Sequence, residues 1–423
     1  MASPTPSYAH VGLGLALLAA AFPVRIFGSF PFVQSVSLLD VALVLAAGGL
    51  VLRAAAGQRI VFGDPRLFAL LSVLPALSML SLFWTQDFAA TFVDVATYLE
   101  ALLAYVYVLT QTDGVPGDTI VKWLRWFTYA LLVAPILLLL HVHGFAPQEP
   151  GLKQSSGDYL SYYSRFSHPF IGRSNNLATV LAMVVPVLLY WGVKHHQRAT
   201  LVAGITGLVA IALTVSRGVM LALLIGVVVV ALKRGVHLPE ASRRLIGIGL
   251  AGTLGALLVA AGLLYRYNVD TKMFIGERLS LSNVTLRETR LTDGLQELWR
   301  QPFLGYGAGT LPNQNEAIFG GVHNTFLQQL LSYGVLLGSL AILAMVETVR
   351  FFLGSARGLR LAIGVTLLAQ LLSYMVESSF EGTTLRVLIY LLLGMLVGLL
   401  RAASTDPIEV AVAPLEEARH AGQ

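Results

Sequence analysis

The chain has 423 residues, of which 56% are hydrophobic and only 12% charged, and its mean hydropathy is +0.73. A soluble domain carries about 25% charged residues, so half that density cannot cover a water-facing surface of this size, and most of the exterior must face lipid. The net charge of +5 comes from basic residues in short loops between apolar runs, which argues against nucleic acid as a partner, and the lack of cysteine excludes disulfides, thiolate metal sites and a cysteine nucleophile.

A hydrocarbon core about 30 Å thick needs about 20 apolar residues per helix. Such runs stand near 9–27, 35–53, 66–85, 92–111, 120–144, 175–194, 199–215, 218–233, 244–264, 323–349, 357–378 and 385–401. The expected fold is therefore all-α, a polytopic membrane protein of about twelve transmembrane helices in a single integral membrane domain over 1–423. The first run has no basic n-region or small-residue cleavage site before it and reads as a retained helix, not a signal peptide. The seventh and eighth runs touch at Ser216-Arg217-Gly218, which demands a very tight turn. Two long connections, 145–174 and 265–322, fall on one side of the membrane. The tail 402–423 is short and polar and reads as a disordered end on the other side.

The positive-inside rule orients these spans. With both termini in the cytoplasm, 16 of the 28 Lys and Arg residues lie inside. The short outer loops hold only Arg25, Arg217 and Arg386, and the other nine lie in the two long outer connections, which the rule exempts.

Candidate chemistry concentrates on the outer side. Connection 145–174 is rich in Tyr, Ser and Gly. That composition suits sugar and headgroup contact, and it also suits an ordinary interfacial loop. Connection 265–322 contains LRETRLTDGLQELWR, with Leu291, Leu295, Leu298 and Trp299 at helical spacing. This predicts an amphipathic helix lying on the membrane, ended by Pro302 and followed by a glycine-rich turn over 305–309. Its plainer reading is an interfacial anchor. Arg217 stands at a helix junction beside hydrocarbon, where a charge is costly and is a functional candidate. Snorkelling is the alternative, but the adjacent Gly218 suits close approach of a phosphate to backbone. His323 opens the tenth helix, whose macrodipole keeps imidazole neutral and able to take a proton. The alternative is that His323 or Asn324 only caps the helix. Carboxylates Asp94, Glu100, Glu377 and Glu381 lie in or near spans, where such groups pair with Arg or His or line a wet cavity. No histidine pair has metal-ligand spacing in a polar cluster, so no metal site is expected.

In order along the chain stand GRSNNLATVLAMVVP before the sixth span, TVSRG at the seventh-to-eighth junction, an arginine-rich amphipathic segment ending WRQPFLGYGAG, and HNTFLQQLLSYG. Over about 170–345 this arrangement resembles the O-antigen ligase and polymerase superfamily. The family pattern is an Arg, about fifteen residues, Pro-apolar-apolar-Gly-x-Gly, then a helix starting His-Asn or His-Ser. Here Arg287, Pro302 through Gly307, and His323-Asn324 fit it, with Arg290 as the alternative arginine.

The resemblance implies a GT-C-like fold in the bacterial inner membrane with a periplasmic active site. It implies a glycosyltransferase that moves a glycan from undecaprenyl diphosphate to a sugar hydroxyl of lipid A–core, without metal or cofactor and with inversion at the anomeric carbon. Arg217 and Arg287 (or Arg290) would grip the diphosphate and His323 would act as base, while Asn324, Arg173 and Asn176 would contact diphosphate or glycan. Membrane lipids are further partners. Ligase fits better than protein oligosaccharyltransferase, which extends further at its C-terminus. It also fits better than polymerase, which has two comparable arginine-rich outer loops. A repeat-unit polymerase is the first alternative, and a secondary transporter or flippase the second.

Overall fold

The structure is a computed structural model and describes residues 7–23, 25–27, 36–139, 174–214, 216–233, 281–310, 324–354, 358–374 and 383–404. Among these it has twelve helices: α1 Ser7–Ala21, α2 Leu38–Ala55, α3 Pro65–Ser81, α4 Phe88–Thr112, α5 Gly117–Leu139, α6 Ser174–Lys194, α7 Arg198–Leu213, α8 Arg217–Lys233, α9 Leu281–Arg300, α10 Thr325–Leu353, α11 Gly358–Tyr374 and α12 Thr383–Ser404. Two short strands, β1 Arg25–Phe27 and β2 Val36–Ser37, pair antiparallel between α1 and α2.

Six helices (α2, α4, α5, α6, α10 and α12) are long and apolar enough to cross a membrane, and α3, α7 and α11 are shorter apolar helices. Eleven of the expected spans coincide with helices. The expected span near 244–264 lies outside the described residues, as do Arg173, His323, most of connection 145–174 and the end of the tail. The amphipathic segment is helical as expected: α9 stops at Arg300, two residues before Pro302, whose ring cannot continue it.

Local chemistry sets the helix starts. Ser37 and Asp40 form a capping box on α2, with the Asp40 N–H donating to Ser37 Oγ and the Ser37 N–H to Asp40 Oδ2. Asp64 caps α3 ahead of Pro65 in its first turn, and Asp87 accepts from the Ala90 N–H of α4 at 3.0 Å. The outer helices bury little of themselves: only 22% of the apolar window of α2 is covered, and Val44, Leu45, Val51 and Leu52 are exposed. A surface of that kind is stable only against lipid.

The core surrounds α12, which packs on α4, α5 and α6. Helices α4 and α12 run parallel, since Arg386 meets Asp94, Gly394 meets Tyr105 and Gly398 meets Thr112. Gly394 and Gly398 form a small-xxx-small pair, and a Cβ at Gly394 would come within 2.8 Å of the Tyr105 carbonyl oxygen. The neighbouring pairs are antiparallel. Gly192 meets Leu201 and Gly204 meets Leu189 between α6 and α7, and Tyr190 meets Gly358 while Gln370 donates to the Thr179 carbonyl between α6 and α11. Ser78 donates to Asp94 between α3 and α4, and Arg66 pairs with Glu347 between α3 and α10.

These contacts give the bundle two distinct ends. One holds the C-terminal ends of α3, α7 and α11, the N-terminal ends of α4, α6, α8 and α12, and the 301–310 segment. The other holds Arg53, Arg66, Lys122, Arg198, Arg350 and Arg401.

The expected tenth span is two helices. Gly334 breaks α10 with φ 74° and ψ 175°, a conformation costly for any residue with a Cβ. The chain folds back so far that a Cβ on Gly338 would lie 2.7 Å from the Gln329 carbonyl oxygen. The break strands backbone groups that hydrocarbon cannot satisfy, and the 301–310 segment supplies their partners. The Tyr306 and Gly307 N–H groups donate to the Leu331 and Ser332 carbonyls at 2.8 and 2.9 Å, and the Val335 N–H donates to the Pro302 carbonyl at 2.7 Å. Gly305, at φ 67°, has Gly334 N and the Leu331 carbonyl directly against it.

Gly334→Ala and Gly305→Ala each combine left-handed strain of about 1–2 kcal/mol with an overpacking cost of about 1–3 kcal/mol. Both variants should show a clearly lowered midpoint on thermal unfolding in detergent. Gly48→Ala, at an exposed α2 position with open space around it, should be neutral or more stable by about 0.5–1 kcal/mol.

Candidate active site

The 301–310 segment also ties α9 and α10 to the α3–α4 corner. The Ala308 N–H donates to Ser81 Oγ at 3.1 Å, Thr91 Oγ1 donates to the Ala308 carbonyl at 2.6 Å, and the Gln86 N–H donates to the Tyr306 carbonyl at 3.2 Å. The hydroxyls of Thr85, Thr91 and Thr310 bond to one another at 2.6–3.3 Å. Tyr306 donates its hydroxyl to Glu297 Oε2 at 2.9 Å, and Arg300 pairs with Glu297 Oε1 at 2.5 Å. Glu297 is buried, so the pair and the phenol together supply its counter-charge and hydrogen bonds. Burial first, and then the Glu297 carboxylate, push the Tyr306 phenol up to about 12.

On this frame, the described sequence-predicted residues fall at one end of the bundle. Arg217 is the first residue of α8, and the preceding Ser216 is buried with its Oγ lacking a partner among the described residues. The helices on either side end at Leu213 and start at Arg217, so the junction is as tight as expected. Asn176 stands in the first turn of α6 and is partly buried. Arg290 is half-buried on α9, on the same stripe as Gly294, Glu297 and Leu298, which are buried. Its Nε is buried and has no hydrogen-bond partner among the described residues. Arg287 precedes it by one turn and shares that stripe by backbone register. Both arginine candidates therefore belong to one helix face. Asn324 is the N-cap of α10, accepting the Leu327 N–H at 3.0 Å. The helix thus starts at Thr325, and His323 immediately precedes the cap.

Arg386, which the loop tally places in a short outer loop, lies instead inside α12 and is buried. Its Nη1 pairs with Asp94 Oδ1 at 2.8 Å, and its guanidinium stacks on Tyr98 at 3.7 Å from the ring centroid. Ser78 donates to the other Asp94 oxygen at 3.0 Å. Tyr98, Gln329 and Tyr333 are buried around this pair, and Tyr98 and Tyr333 feel the charges of both Asp94 and Arg386. Tyr333 directly precedes the break at Gly334, so the ion pair supports α10 where it bends. Of the two expectations for Asp94, a basic partner or a wet cavity, the structure shows the basic partner. The signal that names the partner is a lone arginine one turn into an apolar run.

Among the described residues, no three His, Asp or Glu side chains group closely enough to hold a metal ion.

Fold and site together define a multi-pass membrane protein, helical but for one two-stranded ribbon, whose candidate site residues lie at one end beside a broken helix. Residues 202–342 match the model of the family described as O-antigen ligase, which supports the O-antigen ligase/polymerase superfamily for this chain. Members of that family are membrane glycosyltransferase-like enzymes of O-antigen processing. No curated protein matches the chain significantly. The matched segment includes Arg217, Arg287, Arg290, His323 and Asn324, but not Arg173, Asn176, Asp94 or Arg386.

Asp94→Ala leaves a buried, uncompensated guanidinium and should destabilise the protein by about 3–5 kcal/mol. Asp94→Leu combined with Arg386→Met should recover most of that loss in thermal unfolding. The raised Tyr306 phenol contributes stability that is complete below its ordinary value of about 10 and is lost as pH rises through about 12. Relative to wild type, Tyr306→Phe should therefore lose stability at neutral pH, and the difference between the two should shrink between those values.

Proposed function

We propose that the chain is an O-antigen ligase, transferring a glycan from undecaprenyl diphosphate to a sugar hydroxyl of lipid A–core. The observation that carries this reading is the half-buried Arg290, whose Nε has no acceptor among the described residues, on the bundle end that also bears the start of α8 at Arg217. A buried guanidinium N–H without a partner costs free energy unless a ligand supplies the acceptor. Phosphate oxygens match the fork of a guanidinium bidentately.

In this mechanism the acceptor hydroxyl oxygen attacks the anomeric carbon from the face opposite the diphosphate. The new C–O bond forms as the glycosyl–phosphate bond breaks, and the configuration inverts. The bond electrons leave with undecaprenyl diphosphate, whose growing charge is met by Arg217, Arg287 and Arg290. The hydroxyl proton passes to His323, which immediately precedes the Asn324 cap of α10 in the chain. Asn324 fixes that helix start, and Arg173 and Asn176 are assigned to contact with the glycan or diphosphate. The arginines supply the positive charge, so no metal is needed. The basic residues of the opposite end favour a cytoplasmic location for that end and for both termini. The site then faces the periplasm from the bacterial inner membrane.

The test is transfer in vitro from carrier-linked glycan to lipid A–core in excess chelator. Arg217→Ala and Arg290→Ala should lower the rate by about 10²–10³, and His323→Ala by about 10²–10⁴. Unchanged product from both Arg217→Ala and His323→Ala at equal expression would overturn the site. Joining of carrier-linked repeats with no product on lipid A–core would instead assign a polymerase.

A further inference from the structure

At the end of the bundle opposite the candidate active site, a cavity of about 670 Å³ opens between the start of α3, the end of α10 and the start of α11. That volume suits a small ligand or a headgroup. Among the described residues three arginines line it, Arg66, Arg350 and Arg360, against one carboxylate, Glu347. Glu347 bridges two of them, with Arg66 Nη2 at 3.2 Å and Arg350 Nη1 at 2.5 Å. The local charge is therefore in excess of what the protein neutralises.

Arg360 differs from the other two. Its Nη2 donates to the Phe351 carbonyl at 2.7 Å, and its guanidinium stacks on the Phe351 ring at 4.5 Å. These contacts fix the group in place, yet its Nε is buried with no hydrogen-bond partner among the described residues. A guanidinium held in place at the wall of a cavity is pre-oriented for an anionic oxygen ligand. Phe351 and Leu353 add an apolar wall to the same cavity. The site lies at the ends of the apolar helices α3, α10 and α11, and the end of a spanning helix is where it reaches the headgroups. Basic pockets between membrane helices at this level take phosphate-bearing headgroups.

We propose that this cavity binds the phosphodiester of an anionic phospholipid, with Arg360 at its base and Arg66 and Arg350 at its rim. The apolar wall receives the glycerol end of the lipid. The occupant is a structural lipid and takes no part in transfer at the other end of the bundle.

The experiment uses the full chain purified in a neutral detergent. Phosphatidylglycerol, phosphatidylcholine and inorganic phosphate are titrated separately, read by thermal unfolding midpoint and by lipid retention in native mass spectrometry. Phosphatidylglycerol should raise the midpoint and remain bound, and the other two should do neither. Arg360→Gln should weaken phosphatidylglycerol binding about fivefold or more. Arg66→Gln, whose side chain is largely exposed, folds without difficulty and should weaken it about fivefold as well. Lys122→Gln, an exposed basic position at the same end but outside the cavity, should bind like wild type. The proposal is overturned if phosphatidylcholine or inorganic phosphate stabilises as well as phosphatidylglycerol. It is equally overturned if Lys122→Gln loses as much binding as Arg66→Gln.

Discussion

The break of α10 at Gly334 is the constraint on which the site end depends. An apolar surrounding tolerates irregular backbone only where every stranded N–H and C=O finds a partner. Here the partners come from the 301–310 segment, earlier in the chain: the Pro302 carbonyl and the Tyr306 and Gly307 N–H groups. The same segment reaches Ser81, Gln86 and Thr91, so one set of hydrogen bonds joins α3, α4, α9 and α10. Discontinuous helices also build substrate sites in secondary transporters. The carbonyls freed at Leu331 and Ser332 are already taken by N–H donors, which is the arrangement of a structural joint and not of an open ion site.

Beneath that joint lies the Arg386–Asp94 pair. Ionised groups among membrane helices are expensive unless paired and hydrogen-bonded. Both conditions are met, by Ser78 on the carboxylate and Tyr98 under the guanidinium. The pair fixes the first turn of α12 against α4, and through Tyr98 and Tyr333 it reaches the residue before the break. It lies outside the family-matched segment and acts on the site only through packing, by holding the two halves of α10 at their angle.

Apolar periodicity made the helices legible because lipid demands long uninterrupted runs, and eleven expected spans fall on helices. The bend in α10 was not legible. LLSYGVLLG is mostly apolar, and hydropathy cannot distinguish a glycine in a straight helix from one at positive φ whose partners lie in a distant segment. The PFLGYG motif was recognised, but its partner was not, since pairing a loop with a broken helix is a tertiary fact. Arg386 was misread for a related reason. One charge at the edge of an apolar run looks the same whether it faces water or a buried carboxylate. The amphipathic helix expected over this segment is present as α9, and the sequence leaves Arg287 and Arg290 undecided because they sit one turn apart on one stripe. At Asn324 the side chain is engaged in capping, a role that the sequence reading had kept open.

Helix α9 joins the two kinds of surface that the proposed donor requires. On one stripe Arg290, Gly294, Glu297 and Leu298 face the protein, while Leu291, Leu295 and Trp299 form an exposed apolar row continued by Phe303 and Leu304. A row of that kind at the edge of a bundle is satisfied by the boundary between headgroups and acyl chains. Immersing it there holds Arg290 level with the phosphates of neighbouring lipids. A polyprenyl diphosphate has the same division, with its tail in hydrocarbon and its charge at the boundary. On the proposed reading, the helix meets the donor without drawing it out of the bilayer, because each part of the lipid remains in its preferred medium as the guanidinium reaches the diphosphate. The tie through Glu297, Tyr306 and the α10 break then fixes the height of that guanidinium relative to the start of α10, where His323 stands beside the cap.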